Sequence, residues 1–323
     1  MRICVSETVA ELYGTRLRSL SPEMEIVLLK DDGSLEPEVE QVDVFYLSDD
    51  FFGHREPLRR MLALVKQGAI TWFHSSSAGI DSFIFQRVLD SGAMMSHSPG
   101  LHSRPIAEYV IGAMLQEVKQ VRAHYEAQQR HEWTPIVSGE LTGKTVGIVG
   151  LGGIGQAVAL RAKAFEMRVI GTKRSSLRHE HVDAVLAPDQ LHELLTASDY
   201  VVLAAPLTDA TRGMMGAAEF AAMKPSATLI NVARGGLIDE PALITALREG
   251  QIAGASLDVA SQEPLPPDAA LWDAPNCLIT PHISQGSPHS MSRTSEHFLE
   301  NLGRFGRGET LLNVVHDTEL TAR

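Results

Sequence analysis

Three residues with charged or proton-transferring side chains follow three successive apolar segments of the chain. The residues and the segments they follow are Arg234 after 227–232, Glu263 after 254–259 and His282 after 277–280. A guanidinium, a carboxylate and an imidazole are groups from which acid–base sites are assembled. Taken singly, each also has a structural interpretation: an ion pair, a turn cap before Pro264 and a structural histidine. If the segments are neighbouring strands of one parallel sheet, the three side chains meet at one edge.

A glycine motif precedes these residues. Residues 145–155 read TVGIVGLGGIG, an apolar run followed by Gly150, Gly152 and Gly155 in G-x-G-x-x-G spacing. The next residues continue at helical spacing, so the context is strand, tight turn and helix, which predicts a dinucleotide pyrophosphate at the helix start. Gly153 and Ile154 belong to the same predicted phosphate-binding turn. The alternative is a glycine-rich turn with no ligand.

The next predicted strand ends in two cations. An acidic residue that holds the ribose hydroxyls of NAD is usual about 20 residues after the glycines. Here the chain reads Thr172-Lys173-Arg174-Ser175. Lys173, Arg174 and Ser175 suit a 2′-phosphate, so the sequence predicts NADP in preference to NAD. The alternative is a solvated basic strand end.

Alternating strand and helix patterns indicate an α/β fold with parallel sheets. We predict two Rossmann-like or flavodoxin-like domains separated by a cleft, with breaks at Pro99-Gly100 and Ser287-Pro288. The substrate domain comprises 1–98 plus 288–323, and the dinucleotide domain comprises 99–287. A single long amphipathic helix is predicted over 106–130. The small residues 75–79 after one strand suit carboxylate binding through backbone N–H groups, or form an ordinary polar turn.

Composition limits the class of protein. Of the 323 residues, 44% are hydrophobic, which is typical of globular chains. The formal net charge is -12, which disfavours binding to nucleic acid or anionic membranes. Two cysteines, Cys4 and Cys277, indicate no disulfide framework, and with no apparent signal peptide they predict a cytoplasmic protein. No metal site is predicted.

The motifs together resemble the D-isomer-specific 2-hydroxyacid dehydrogenase family, and the resemblance runs through essentially the whole chain. The segments that carry it are SSSAGID (75–81), SPGLHSRPIAEYV (98–110), GKTVGIVGLGGIG (143–155), APLTDATRG (205–213), NVARGGLIDE (231–240), SLDVASQEPL (256–265) and TPHIS (280–284). The tail 300–315 looks like that of the shorter members, which act on small 2-oxo acids.

The resemblance implies roles for individual residues. His282 matches the general acid/base, Glu263 the carboxylate that hydrogen-bonds to it, and Arg234 the residue that binds the substrate carboxylate and polarises the carbonyl. Further substrate-carboxylate contacts are implied for Ser77, Ala78 and Gly79. Residues implied to contact or line the cofactor site are Ser103, Pro206, Val232 and Asp258.

The expected function is therefore reduction of a small 2-oxo acid, such as glyoxylate or hydroxypyruvate, by a homodimer that prefers NADP(H). Lys173 and Ala204 depart from the family pattern, which weakens an assignment to NAD and leaves the adenine-side contacts open. Formate chemistry is disfavoured because formate dehydrogenases of this superfamily carry an amide where Glu263 stands, and phosphite is improbable. The alternative from another class is a cofactor-sensing corepressor without turnover.

Overall fold

The chain folds into two compact units. The computed structural model describes residues 1–20, 23–51, 54–174 and 179–316. One unit is Met1–Leu101 with Ser287–Arg323, and the other is His102–Gly286. The chain thus passes between the units just after the Pro99-Gly100 break and again just before Ser287-Pro288.

Most of the regular elements within the described residues alternate between strand and helix. The strands are β1 Arg2–Ser6, β2 Glu25–Leu29, β3 Leu35–Glu36, β4 Val42–Leu47, β5 Ile70–Ser75, β6 Met94–Ser96, β7 Thr145–Val149, β8 Arg168–Thr172, β9 Ala184–Leu186, β10 Tyr200–Leu203, β11 Thr228–Asn231, β12 Gly254–Leu257 and β13 Cys277–Ile279. The helices are α1 Glu7–Leu20, α2 Arg55–Lys66, α3 Phe83–Asp90, α4 Ser103–Val118, α5 Val121–Gln129, α6 Gly153–Ala164, α7 Leu191–Ala197, α8 Ala217–Ala222, α9 Glu240–Arg248 and α10 Ser290–Gly306.

In the first unit, the described strands form a sheet in the order β3-β2-β1-β4-β5-β6. All neighbours are parallel except the short edge strand β3, which the sequence analysis did not predict. The strands are apolar on both faces because helices cover both. On one face, Phe298 of α10 stacks on Tyr46 with 4.1 Å between ring centroids. The C-terminal helix therefore completes the core of the N-terminal sheet.

In the second unit, the described strands are all parallel and ordered β13-β12-β11-β10-β7-β8-β9. The chain builds outward from β7 to β9 and then returns to β10, on the other side of β7. In open α/β sheets, ligands bind at the carboxyl ends of the strands where the order reverses in this way. The predicted α/β class with parallel sheets is confirmed in both units.

The predicted single helix over 106–130 is wrong, because α4 and α5 are separated at Lys119 and Gln120. Gln120 takes a left-handed conformation with φ 53°. The last carbonyls of α4 are satisfied from outside the helix: Gly139 N–H donates to Val118 O, and Ser138 Oγ donates to Lys119 O. Apolar spacing continues across the break, so periodicity alone did not reveal it. Within the described residues, no helix is both long and apolar enough to cross a membrane.

Candidate active site

The glycine turn after β7 is shaped by close backbone approaches. Gly150 has φ 101°, and a Cβ there would lie 2.8 Å from the backbone of Ala205 in the loop after β10. A Cβ on Gly155 would lie 2.2 Å from Gly150 O, so the helix can pack against the turn only with glycine at this position. A Cβ on Gly152 would meet nothing within 4 Å.

The residues around this turn fit a bound dinucleotide. Gly152 borders open space and precedes α6, whose N-terminus lacks a side-chain cap. Unpaired N–H groups at a helix start favour phosphate there. Gly153 and Ile154 form the first turn of α6, and their contact with the cofactor stays a prediction. Ser103 Oγ at the start of α4 is buried, and it has no hydrogen-bond partner among the described residues, as expected of a hydroxyl held for a ligand.

The end of β8 is tied directly to the glycine turn. Gly150 N–H donates to Thr172 Oγ1 over 3.1 Å, and Leu151 N–H donates to Thr172 O over 3.0 Å. Lys173, which is half-buried, and the exposed Arg174 follow immediately. Ser175, also predicted to bind the cofactor, lies outside the described residues. Two cations thus occupy the first and second positions after the strand that holds the turn.

Two further predicted cofactor residues lie at neighbouring strand ends. Pro206 is exposed in the loop after β10, and Val232 is buried directly after β11. Since β10 and β11 are adjacent, both residues belong to the edge of the sheet that carries the glycine turn.

Arg234 follows β11 in a loop that packs tightly against the loop after β12. A Cβ on Gly235 would lie only 1.9 Å from the carbonyl carbon of Ala260, so no other residue fits without moving backbone. Asn231 at the end of β11 donates from Nδ2 to Arg234 O over 2.9 Å. This packing brings the Arg234 backbone to the segment that leads into Glu263, and the Arg234 charge acts on the Glu263 carboxylate.

Glu263 and His282 form a hydrogen-bonded pair. His282 Nδ1 lies 2.7 Å from Glu263 Oε2, while Ala260 N–H donates to Glu263 Oε1 over 3.0 Å. Burial alone would raise the pKa of Glu263, but the His282 hydrogen bond and charge, the Ala260 N–H and Arg234 together bring it below its ordinary value. The carboxylate therefore stays charged, and His282 Nε2 is the ring nitrogen that can exchange a proton with a ligand.

The loop that carries His282 is anchored by Asp258. The Asp258 carboxylate accepts from Ile283 N–H and Ser284 N–H, each over 2.9 Å, and from Thr280 Oγ1 over 2.6 Å. Asp258 was predicted to contact the cofactor, a role that stays a prediction. Its role in holding the loop was missed, as was that of Thr280, because the interactions join segments more than 20 residues apart.

In the first unit, the predicted carboxylate-binding loop is held by residues after β6. Ser98 N–H donates to Ser77 O over 3.0 Å, and His97 Nδ1 lies 3.0 Å from Ala78 O. Ser77, Ala78 and Gly79 are partly exposed. His97 and Ser98 carried no sequence signal for this role. The substrate contacts of residues 77–79 stay a prediction.

The sheet of the second unit has a glycine turn for phosphate at its switch point. Ends of its other strands carry an imidazole–carboxylate pair and an arginine. These features together define a dinucleotide-dependent oxidoreductase. A sequence model described as "D-isomer specific 2-hydroxyacid dehydrogenase, NAD binding domain" matches residues 111–284. The chain belongs to the D-isomer-specific 2-hydroxyacid dehydrogenase family.

Individual relatives agree with this assignment. A glyoxylate reductase of Korarchaeum cryptofilum is 36% identical over 255 residues, which cover 76% of each chain. The crystal structure of a family member from Aeromonas salmonicida matches with a TM-score of 0.83 and 30% identity over 98% of each chain. An NADPH-dependent glyoxylate/hydroxypyruvate reductase from Sinorhizobium meliloti, in complex with NADP and sulfate, matches with a TM-score of 0.81 and 27% identity, covering 99% of this chain and 98% of its own.

Proposed function

We propose that this dehydrogenase reduces a small 2-oxo acid, such as glyoxylate or hydroxypyruvate, and prefers NADPH. The observation that carries the proposal is the 2.7 Å pair of His282 and Glu263 at the same sheet edge as Arg234. Relatives named glyoxylate reductase, including one described as NADPH-dependent, support the choice of substrate and cofactor.

His282 supplies the proton in the proposed reaction. When bound, the reduced nicotinamide supplies a hydride to the carbonyl carbon of the 2-oxo acid. Since His282 Nδ1 faces Glu263, Nε2 donates a proton to the carbonyl oxygen as negative charge develops there. The charged Glu263 stabilises the imidazolium before this transfer. Arg234 binds the substrate carboxylate and stabilises the developing oxyanion. A 2-hydroxy acid and a neutral imidazole result.

The preference for NADPH rests on the end of β8. Lys173 and Arg174 provide charge-assisted donors for a 2′-phosphate, in the place where an acidic residue would repel it. Residues 77–79 are proposed to bind the substrate carboxylate. A cytoplasmic location stays a prediction, supported by the two free cysteines.

The test is a panel of 2-oxo acids assayed with NADPH and NADH. We expect turnover of glyoxylate or hydroxypyruvate with NADPH, and loss of at least about a hundredfold in kcat for His282→Ala. Binding of NADPH with no turnover of any 2-oxo acid would favour the corepressor-type alternative. Near-full activity of His282→Ala would remove this residue from the mechanism.

We also propose a homodimer formed through the surface around α4 and α5. Trp133 is 99% exposed and Val137 is 95% exposed in the segment that follows α5, and Tyr125 of α5 is exposed as well. Nearby, an apolar groove of about 590 Å³ is lined mainly by side chains of α4, with Val121 and Leu278. Large exposed apolar surface of this kind is typical of interfaces.

Light scattering tests the dimer. We expect twice the 35.1 kDa chain mass for the wild type and a shift towards the monomer for Trp133→Ser. Trp272→Ser is the control, because Trp272 is also exposed but belongs to neither α4, α5 nor the segment that follows α5. A monomeric wild type, or equal behaviour of the two variants, would contradict the proposal.

A further inference from the structure

The backbone of His282 has a conformation that its surroundings must hold. Its φ is 54°, in the left-handed region, which a non-glycine residue adopts only where surrounding contacts hold it. The His282 N–H donates to Asp258 O over 2.8 Å and to Thr280 O over 3.0 Å. The position of the imidazole therefore depends on where Asp258 and Thr280 lie.

Thr280 connects this loop to helix α4 through a series of hydroxyls. Tyr109 Oη lies 2.8 Å from Thr280 Oγ1 and 3.2 Å from Ser256 Oγ on β12. Thr280 Oγ1 lies 2.6 Å from Asp258 Oδ1. Asp258 is only 1% exposed, and Ser256 is also buried.

Chemistry sets the direction of every hydrogen bond in this series. The Asp258 carboxylate can only accept, so the single hydroxyl hydrogen of Thr280 is donated to it. Tyr109 must then donate its own hydrogen to Thr280 Oγ1, and Ser256 donates to Tyr109. The series is therefore complete in one arrangement only. Removing the Tyr109 hydroxyl takes away the donor to Thr280 Oγ1, and removing the Thr280 hydroxyl takes away one of the three donors to the buried Asp258 carboxylate.

We propose that Tyr109 and Thr280 are positioning residues that hold His282 through Asp258, by contacts separate from the Glu263 hydrogen bond. The hydrogen bonds that join Tyr109 and Thr280 to Asp258 include neither Glu263 nor Arg234. Glu263 orients the ring from its Nδ1 side, and the hydroxyl series sets the backbone from which the ring projects. This inference rests on the proposed role of His282 as proton donor, although its structural part can be tested without turnover.

A second tyrosine provides a matched control. Tyr200 Oη on β10 donates to the carboxylate of Glu117, also on α4. Tyr109 and Tyr200 thus both tie α4 to the sheet through one hydroxyl, but only the hydrogen bonds of Tyr109 lead to the His282 loop. If the Tyr109 hydroxyl only held α4 against the sheet, Tyr109→Phe and Tyr200→Phe would have the same effects on kcat and on melting temperature.

The kinetic test compares these variants in the reduction of glyoxylate by NADPH. We expect Tyr109→Phe and Thr280→Val to lower kcat about tenfold, the effect of losing one partly buried hydrogen bond that positions His282, with KM and NADPH affinity changed less than about twofold. Thr280→Ser keeps the hydroxyl and should retain most activity. Tyr200→Phe should lower the melting temperature without lowering kcat.

The structural test uses the Nδ1–H proton of His282, observed by NMR of ¹⁵N-histidine-labelled protein without cofactor and assigned by its loss in His282→Ala. We expect the signal to be kept in the wild type, Thr280→Ser and Tyr200→Phe, and shifted or broadened in Thr280→Val and Tyr109→Phe. An unchanged signal in both of the latter overturns the inference. If the signals change as expected but the wild type reduces no 2-oxo acid, only the proposed function fails.

Discussion

Replacing Gly235 with alanine should displace the carboxylate partner of His282. The added Cβ would lie 1.9 Å from Ala260 C, 2.2 Å from Ala260 O and 2.3 Å from Ser261 N. Carbon atoms in ordinary contact are about 3.5 Å apart, so backbone must move by about 1.5 Å. No flexible side chain is available to absorb that movement, because all three atoms belong to the main chain.

The displaced segment is the one that orients Glu263. Ala260 N–H donates to Glu263 Oε1, and Glu263 Oε2 pairs with His282. A misplacement of about 1 Å in a catalytic group can cost about a hundredfold in rate, and we expect a loss of that order in kcat for Gly235→Ala. Overpacking should also lower the free energy of unfolding by about 1–3 kcal/mol.

Gly236→Ala is the control for Gly235→Ala. A Cβ at Gly236 would meet the side chain of Leu207 at 3.0 and 3.3 Å, and this side chain can rotate away. We expect kcat for glyoxylate reduction within about twofold of the wild type in the control. Equal kcat values for the two variants would refute the steric reasoning. Measurements of NADPH binding and urea unfolding serve as the control that Gly235→Ala is folded.

Three further predictions concern charge. The pKa of Glu263 lies below its ordinary value, so this carboxylate next to His282 Nδ1 is charged throughout the neutral range. A neutral amide in Glu263→Gln removes that charge, so the reduction rate should begin to fall at lower pH, and an unchanged pH–rate profile would exclude this role. Burial raises the pKa of Asp199, but Thr145 N–H and Lys224 lower it further than burial raises it. Asp199→Asn should therefore lose about 1–2 kcal/mol of unfolding free energy at pH 7 and progressively less as the pH falls below about 4, as urea titrations at several pH values would show. Lys173→Asp should lower the NADPH-to-NADH ratio of kcat/KM at least about tenfold, and an unchanged ratio would refute the assignment of Lys173.

The elements that follow from local sequence have the predicted arrangement. The glycine turn needs only a strand, three spaced glycines and a helix, all within residues 145–167, and the structure has that arrangement. Arg234, Glu263 and His282 were placed by the rule that parallel strand ends share an edge, and the 2.7 Å contact of Glu263 with His282 agrees with it.

The parts that depend on distant segments were not predicted. The break at Gln120 depends on residues 138–139, which donate hydrogen bonds to the carbonyls at the end of α4. The apolar spacing of the sequence is the same with or without this break, so it does not reveal it. Likewise, nothing near Tyr109 in the sequence indicates a partner at Thr280, because the hydrogen bond between them spans 171 positions. Such contacts depend on packing, and a single sequence does not encode them as a local pattern.

The two hydrogen bonds from the glycine turn to Thr172 separate the shape of the pyrophosphate site from the choice of coenzyme. Its hydroxyl and carbonyl hold Gly150 and Leu151, so the shape of the pyrophosphate site depends on this residue and not on the side chains that follow it. Mutations at Lys173 and Arg174 can therefore accumulate without disturbing that shape. Single substitutions at Lys173 or Arg174 are therefore expected to change the coenzyme preference while the protein still binds a dinucleotide, whereas substitutions at Thr172 are expected to weaken the binding of both coenzymes.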